Sequence, residues 1–274
     1  MDTDNLKDWL IPWLVRVLKG VFMGAAFIVP GISGGAIAAA MGIYERMIKF
    51  MANPFKNFWD NFFFFFPVGM GAVFGVFVFA LFINFFFDIA HAQLIWFFIG
   101  CIAGTLPSLW RQAGSRKRSA VHIVILVLTF AGALLFLQYT YHAIGGEIPL
   151  NIYTWAMAGA IIALGSIIPG FSSANILIFL HMYMPMTLGI TAINFWIIIP
   201  MGIGLVLGIL LFSKVIAFII DKAYSSFFHG VLGFVIASSI LIIPLDYNYV
   251  GLGGLLCLVT ALSGVFLGNW ICKL

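Results

Sequence analysis

The sequence Pro30-Gly31-Ile32-Ser33-Gly34-Gly35 interrupts an apolar stretch, and Pro169-Gly170-Phe171-Ser172-Ser173-Ala174 interrupts another one 139 residues later. The match continues without a gap to Tyr44 in the first copy and to Tyr183 in the second. A Pro-Gly break at membrane depth leaves backbone N–H groups that lipid cannot satisfy. Two such breaks at corresponding places in the two halves of a chain predict a binding site at the breaks.

The composition is that of a chain embedded in lipid. Of the 274 residues, 64% are hydrophobic and 8% are charged, and the mean hydropathy is +1.16, whereas a soluble domain carries about a quarter charged residues. The three cysteines have neither disulfide nor metal spacing, so we expect no metal and no cofactor. The net charge of +4 does not indicate nucleic acid, because the positive charges flank apolar spans.

Each half of the chain contains five apolar elements. In the first half they cover about 10–29, 31–51, 62–87, 94–109 and 120–139, and in the second about 152–168, 170–183, 188–212, 227–244 and 250–271. An odd number of elements in each half places the two halves in opposite orientations in the membrane.

The element at about 170–183 is short for a membrane span. As a helix its roughly 14 residues cover about 21 Å, which is less than the hydrocarbon core of about 30 Å. We therefore predict re-entrant helical hairpins at about 10–51 and about 152–183, with the Pro-Gly pairs at their tips. The predicted fold class is an all-α polytopic membrane protein with two inverted repeats, residues 1–140 and 141–274, each a hairpin followed by three transmembrane helices.

The basic residues lie on one side of this predicted layout. With a cytoplasmic N-terminus, the cytoplasmic segments hold Lys7, Lys56, Arg111, Arg116, Lys117, Arg118, Lys214, Lys222 and Lys273. The external connections, around 88–93, 140–151, 184–189 and 245–249, contain no Lys or Arg. Because cytoplasmic loops are enriched in basic residues, we expect both termini in the cytoplasm.

The two breaks supply candidate residues for binding an anion. A helix N-terminus has up to four free N–H groups and a partial positive charge. Gly31, Gly34 and Gly35 let a ligand approach the backbone, and the hydroxyl of Ser33 adds a donor, which together suit an oxyanion such as phosphate. The candidates in the second break are Gly170, Ser172, Ser173 and Asn175. The alternative is that the Pro-Gly pairs and small residues only permit close helix packing.

Charge is present in the first hairpin alone, since Lys19 aligns with Ala158 and Arg46 with Pro185. Lys19 and Arg46 are predicted at similar depth near the cytoplasmic surface. There they either form a basic vestibule for an anionic headgroup or only anchor the hairpin. Glu45, beside Arg46, is either a partner in a local ion pair or a proton-coupling carboxylate.

Two further residues of the matched segments are candidates. Tyr44, which closes the first motif, is a candidate binding residue. His181 lies in apolar sequence of the second hairpin, where it either titrates in a coupling role or is hydrogen-bonded to neighbouring backbone.

These motifs resemble a known family. Lys19-Gly20 … Pro30-Gly31-Ile32-Ser33-Gly34-Gly35 … Gly42-Ile43-Tyr44-Glu45-Arg46 closely resembles the signature of the PopT polyprenyl-phosphate transporters, long known as a bacterial domain of unknown function, and Pro169-Gly170-Phe171-Ser172 … Tyr183 resembles its second signature. The resemblance implies a transporter rather than an enzyme, which recycles undecaprenyl phosphate from the outer to the inner leaflet of the bacterial cytoplasmic membrane for cell-envelope synthesis. The departures are Ala36, where the family usually has Thr, and Ser173 and His181, where it tends to have Gly.

The resemblance also suggests a mechanism. We expect the phosphate headgroup to cross in a polar cavity between the repeats, while the isoprenyl tail stays among membrane phospholipids and the repeats rock about the hairpin tips. Protons or another ion are candidate coupling partners, because phosphate monoesters titrate near neutral pH.

Two other functions are weighed against this one. Undecaprenyl pyrophosphate phosphatases share the hairpins, but here Gly34 and Ser173 occupy the positions of their arginines, and Glu45 is the only acid in either hairpin. Hydrolysis would then lack a transition-state clamp and a general base. A small-anion or ion transporter shares the inverted repeats but needs no lateral opening to lipid.

Overall fold

A computed structural model describes residues 3–30, 34, 37–38, 41–53, 55–143, 148–168 and 171–273, with the backbone alone at 3–9, 51–52 and 141–143. Across these ranges the chain forms nine helices and no strand. They are α1 Thr3–Ile28, α2 Tyr44–Ala52, α3 Phe58–Ala113, α4 Ala120–Ala143, α5 Ile152–Ile167, α6 Ser173–Phe179, α7 Tyr183–Thr191, α8 Phe195–Leu241 and α9 Leu252–Ile271.

Five of these helices are long and apolar enough to cross a membrane. Their apolar parts are Leu10–Ile28, Phe58–Ala113, Ala120–Thr140, Phe195–Leu241 and Leu252–Ile271. The pair α6 and α7, which is bent by 107° at its break, would add a sixth if it formed one broken span. The expectation of an all-helical polytopic membrane protein is confirmed.

Two helices are longer than a single crossing needs. The 56 residues of α3 and the 47 of α8 would measure about 84 and 70 Å as straight helices, against a hydrocarbon core of about 30 Å. Each contains one residue with non-helical backbone angles, Ala90 in α3 (φ −150°, ψ 47°) and Ala223 in α8 (φ −139°, ψ 42°). These single residues divide each long helix into two parts.

The structure joins spans that were predicted as separate. In each half these are the second and third apolar elements after the Pro-Gly break. The spans predicted at about 62–87 and 94–109 are the two parts of α3, and those at about 188–212 and 227–244 are the two parts of α8. No Gly or Pro lies in the sequence beside Ala90 or Ala223, so the helical hydrogen bonds continue almost to the break on either side. The start of the predicted 188–212 span is a separate helix, α7.

Helices α1 and α3 pack closely and run in the same direction. A Cβ on Gly20 would lie 2.0 Å from the Val68 carbonyl oxygen, and one on Gly24 would lie 2.1 Å from that of Ala72. Residue numbers therefore increase in the same direction along both helices. The helices lie so close together that only glycine fits at these contacts. Because the two helices are parallel, the chain between them has to return to the end where α1 began.

Helices α5 and α8 repeat this arrangement in the second half. A Cβ on Gly159, the residue aligned with Gly20, would lie 1.9 Å from the Met201 carbonyl oxygen, and one on Gly208 would lie 2.7 Å from the Ala163 Cβ. These two helices are also parallel, so the chain at 168–194 likewise runs back.

The last long helix of each half packs against the other half. A Cβ on Gly100 of α3 would lie 2.0 Å from the Ala261 carbonyl oxygen of α9, and one on Gly233 of α8 would lie 2.4 Å from that of Leu126 in α4. The short helices make a similar exchange, since α7 packs on α3 and α2 packs on α8. The two halves are therefore interleaved.

The backbone around the two breaks repeats at the offset of 139 residues. The helix ends α1 and α5 stop at aligned positions, and α2 and α7 begin and end at aligned positions. The hydrogen bond from Ile43 N to Ala38 O (3.0 Å) matches the one from Met182 N to Leu177 O (2.9 Å). Where both matched segments are described, they therefore share their local backbone structure. The division into repeats at residue 140 and their inverted orientation stay predictions.

The clearest repeated feature is a residue in the left-handed region. Gly42 has φ +70°, and the aligned residue His181 has φ +55°. Non-glycine residues adopt this region at a cost of about 1–2 kcal/mol. The second half keeps the conformation although it has lost the glycine.

Candidate anion site between the two helix breaks

The structure describes some of the predicted site residues and leaves the others outside its described ranges. Gly31, Ser33, Gly35 and Gly170 fall outside, so their proposed roles stay predictions. Gly34, Ser172, Ser173 and Asn175 are described, as are Lys19, Tyr44, Glu45, Arg46 and His181. The description of the site therefore rests mainly on the second break.

Asn175 is the most unusual polar group at the second break. Its side chain is 1% exposed, and its Oδ1 accepts a hydrogen bond of 3.4 Å from the Ser172 hydroxyl. Its Nδ2 has no acceptor in the described part of the chain. A buried donor left without an acceptor destabilises the folded state by about 1–3 kcal/mol, so this amide is available to a ligand.

Gly34 and Ser173, the candidates that occupy the phosphatase arginine positions, are both packed closely against their own halves. A Cβ on Gly34 would lie 3.0 Å from Cε1 of Phe27, and one on Gly165 would lie 2.7 Å from the Ser173 hydroxyl. Ser173 is 7% exposed. Close packing is therefore present beside both breaks, together with an Asn175 amide that has no acceptor among the described residues.

A hydrogen bond joins the two halves beside the breaks. The Tyr183 hydroxyl donates to the Ile28 carbonyl oxygen at 2.6 Å, and the Tyr183 side chain is 1% exposed. The aligned Tyr44 is only half-buried, and its hydroxyl makes no hydrogen bond to the described residues. The aligned tyrosines thus have different environments in this structure.

A cavity of about 960 Å³ extends from Tyr183 to the side predicted to be external. Its polar lining residues are Asp88, His91, Gln93, Gln138, His181, Asp246 and Tyr247. Among the described residues around it there is no Lys or Arg. His181 lies at its wall as an exposed side chain, so the structure places this candidate in a water-accessible position.

The first hairpin holds Lys19 and Arg46 in specific contacts. Lys19 Nζ donates to the Met41 carbonyl oxygen at 2.6 Å, which ties α1 to the chain just before α2. Arg46 Nε donates to Asn61 Oδ1, and Nη2 donates to the Asp60 carbonyl oxygen, both at 3.0 Å. The Arg46 bonds fix the hairpin to α3, and the Lys19 bond lies within the hairpin. The role of both residues towards a headgroup stays a prediction.

Arg16 joins this basic group, and our sequence analysis did not consider it. The guanidinium carbons of Arg16 and Arg46 lie 4.6 and 3.8 Å from the centre of the Phe64 ring. Each contact with the ring is worth about 0.5–1 kcal/mol. These distances place the two guanidinium carbons no more than about 8 Å apart, and two like charges at about 8 Å repel by roughly 0.5–2 kcal/mol at dielectric constants of 80 to 20. The sequence signal was the i, i+3 spacing of Arg16 and Lys19, which puts both on one face of α1.

The carboxylate of Glu45 pairs with a residue outside this basic group. Its carboxylate is 3.7 Å from Lys49 Nζ, and the two side chains are 88% and 79% exposed. Such a surface pair contributes about 0–1 kcal/mol. Glu45 thus forms a local ion pair with Lys49 rather than with its neighbour Arg46, and its proton-coupling role stays a prediction.

Comparison with known proteins gives consistent matches. A family model described as undecaprenyl phosphate translocase-like matches residues 23–250. A polyprenyl-phosphate transporter of Vibrio cholerae is 30% identical over 235 residues, covering 77% of this chain and 71% of the relative. A polyprenyl-phosphate transporter of Staphylococcus aureus is 27% identical over 246 residues, covering 84% of this chain and 86% of the relative. No solved structure matches the chain significantly.

Proposed function

The chain belongs to the undecaprenyl phosphate translocase-like family, and from that premise we propose that it moves polyprenyl phosphate between the leaflets of a membrane. The specific form of the proposal is recycling of undecaprenyl phosphate from the outer to the inner leaflet of the bacterial cytoplasmic membrane. Two relatives with the printed name polyprenyl-phosphate transporter support the substrate class.

The observation that carries the proposal is the buried amide of Asn175, whose Nδ2 has no acceptor among the described residues. An amide N–H aimed at a phosphate oxygen becomes satisfied when the headgroup binds, so binding recovers the free energy that the empty site loses. The Ser172 hydroxyl holds the Asn175 carboxamide through its bond to Oδ1, and the backbone donors of Gly31, Ser33 and Gly35 in the first break complete the proposed donor set. The headgroup's water is then replaced by protein donors at membrane depth.

The inverted arrangement of the halves is part of the proposal. It is supported by the parallel pairs α1 with α3 and α5 with α8, which require the chain to turn back at each break as a re-entrant hairpin does. Turns at Ala90 and Ala223 would make each long helix two crossings, each of a length that suits the bilayer. Both termini then lie in the cytoplasm.

Alternating access is proposed to follow from the unequal tyrosines. Tyr183 lines the external cavity and donates to the Ile28 carbonyl in the present conformation, and this bond would keep the inner end of the cavity closed. Alignment of the halves places Ile167 where Ile28 stands, so in the opposite conformation Tyr44 would bond to Ile167 while Tyr183 releases Ile28. The headgroup would then meet an open site from one side at a time.

The test is lipid flipping in proteoliposomes that contain undecaprenyl phosphate. Asn175→Leu removes the amide while keeping the side chain's volume, and we expect a loss of transport of about tenfold or more, as for one charge-assisted hydrogen bond. The matched control is Asn84→Leu, because Asn84 is also buried (9% exposed) and also has one unpaired atom, but bonds to Thr191 on α7.

Equal transport by the wild-type protein and Asn175→Leu would contradict the proposed site. Uptake of radiolabelled inorganic phosphate into the same vesicles separates a lipid transporter from a small-anion transporter. We expect no uptake above that of empty vesicles.

A further inference from the structure

We infer that Arg16 and Arg46, held around the Phe64 ring, form a second binding site for the phosphate headgroup of polyprenyl phosphate, at the end of the transport path where α1 begins. This inference rests on the proposed transport function. With the predicted orientation the site faces the inner leaflet, so it would receive the headgroup after the crossing.

The geometry of Arg46 is suited to a phosphate. Its Nε and Nη2 are used in bonds of 3.0 Å to Asn61 and to the Asp60 carbonyl, and its guanidinium carbon lies 3.8 Å from the Phe64 ring centre. A guanidinium held in this way keeps its other N–H groups in a fixed direction. It therefore binds an anion without first losing side-chain freedom.

The charge of the two arginines has no carboxylate partner. In the described part of the chain neither Arg16 nor Arg46 forms an ion pair, while Glu45, the residue next to Arg46, pairs with Lys49. Two guanidinium groups at one ring repel each other, and an anion that binds between or beside them offsets this repulsion. A phosphate monoester carries about −1.5 to −2 charges near pH 7 and accepts paired hydrogen bonds from arginine.

An apolar surface on the same helix indicates that the phosphate belongs to a lipid. Trp59, Phe63 and Phe66 of α3 are 66%, 65% and 50% exposed. They lie on α3 within a turn or two of Phe64, so an isoprenoid chain can lie along them while its headgroup reaches the arginines. A soluble phosphate would have no use for this surface.

The second half lacks the basic pair at the corresponding place. Trp155 aligns with Arg16 and Pro185 with Arg46. A cavity of about 370 Å³ beside α5 is lined by Tyr153, Trp155 and Trp196 among others, without a basic residue in the described lining. The arginine site is therefore specific to one side of the protein.

The test measures equilibrium binding of radiolabelled undecaprenyl phosphate to the purified protein in detergent micelles. We expect Arg16→Gln and Arg46→Gln each to raise Kd about fivefold, and the double variant to raise it about twentyfold or more. Arg16→Lys should raise Kd by about threefold, less than Arg16→Gln, because lysine keeps the charge but loses the planar, paired donors of arginine. The matched control is Arg116→Gln, since Arg116 also lies over an aromatic ring, at 4.4 Å from that of Tyr224.

The outcomes separate the two proposals. If the wild type neither binds nor transports undecaprenyl phosphate, the proposed function fails. If the wild type does both and the double glutamine variant binds equally well, this inference alone is overturned. Unlabelled phosphatidylglycerol at the same mole fraction should displace the probe poorly; displacement as effective as that by unlabelled undecaprenyl phosphate would make the surface a general anionic-lipid contact and overturn the inference as well.

Discussion

The described backbone flanking the first helix break is nearly the same as that flanking the second, and the chemistry of the two is very different. The helix ends, the hydrogen bond across each turn and the left-handed residue recur at the same offset. The first segment carries Arg16, Lys19 and Arg46, and the second carries Trp155, Ala158 and Pro185 at the aligned positions. Small and apolar residues are enough to specify this backbone, so the polar positions have been free to diverge and to make the two sides of the protein unequal.

The largest expected effect would show how far the shared backbone depends on the shared glycines. Gly20→Ala and Gly159→Ala each put a Cβ within 2.0 Å of a carbonyl oxygen on the neighbouring helix, so we expect each to destabilise the protein by about 3 kcal/mol. The measurement is thermal unfolding in detergent. Gly69→Ala is the control, because no atom lies within 4 Å of its added Cβ; a large effect in one half and none in the other would break the equivalence.

The second-largest expected effect distinguishes Tyr183 from the aligned Tyr44. Tyr183→Phe removes the 2.6 Å bond to Ile28 and leaves that carbonyl without its donor, so we expect a loss of about 1–3 kcal/mol in the free energy of unfolding. Tyr44→Phe should change it by less than about 0.5 kcal/mol, because the Tyr44 hydroxyl makes no such bond to any residue that the structure describes. Equal losses in the free energy of unfolding of the two variants would contradict the difference between the two tyrosines. Reduced transport by both variants would support the proposed alternation of their hydrogen bonds.

The smallest effect concerns the left-handed position. Gly42→Ala places a Cβ at φ +70° and should destabilise by about 1 kcal/mol, whereas His181→Gly relieves strain at φ +55° and should stabilise by about 0.5–1 kcal/mol. Opposite signs in denaturant unfolding are expected. Destabilisation by both changes would mean that the His181 side chain stabilises the fold by more free energy than its strained backbone costs.

The repeat was readable from sequence because its determinants are local. Pro30 and Pro169, with the residues after them, interrupt helices through backbone chemistry that does not depend on the rest of the fold. The helix ends near Ile28 and Ile167 were therefore predicted to within a residue or two. The same local rules predicted α4 and α9 from their long apolar runs.

Other features depend on contacts or on conformations that residue type does not reveal. Helix α7 begins after a left-handed His181, where a glycine would have signalled the end of the preceding helix. The contact between Tyr183 and Ile28 joins residues 155 positions apart, and the shared ring of Arg16 and Arg46 appears only after α3 has packed on α1. Sequence identified Asn175 as a candidate, but only its burial distinguishes it from a solvated loop amide.

The interleaving of the halves has a consequence for biosynthesis. Leu126 of α4 contacts Gly233 of α8, and the ribosome needs about 5–20 s to synthesise the intervening residues. During that interval the surface of α4 that later packs against Gly233 has not yet met its neighbouring helix. A nascent chain released after α4 is therefore an unfinished bundle, exposed to membrane proteases, and only completed translation gives this helix its permanent neighbour.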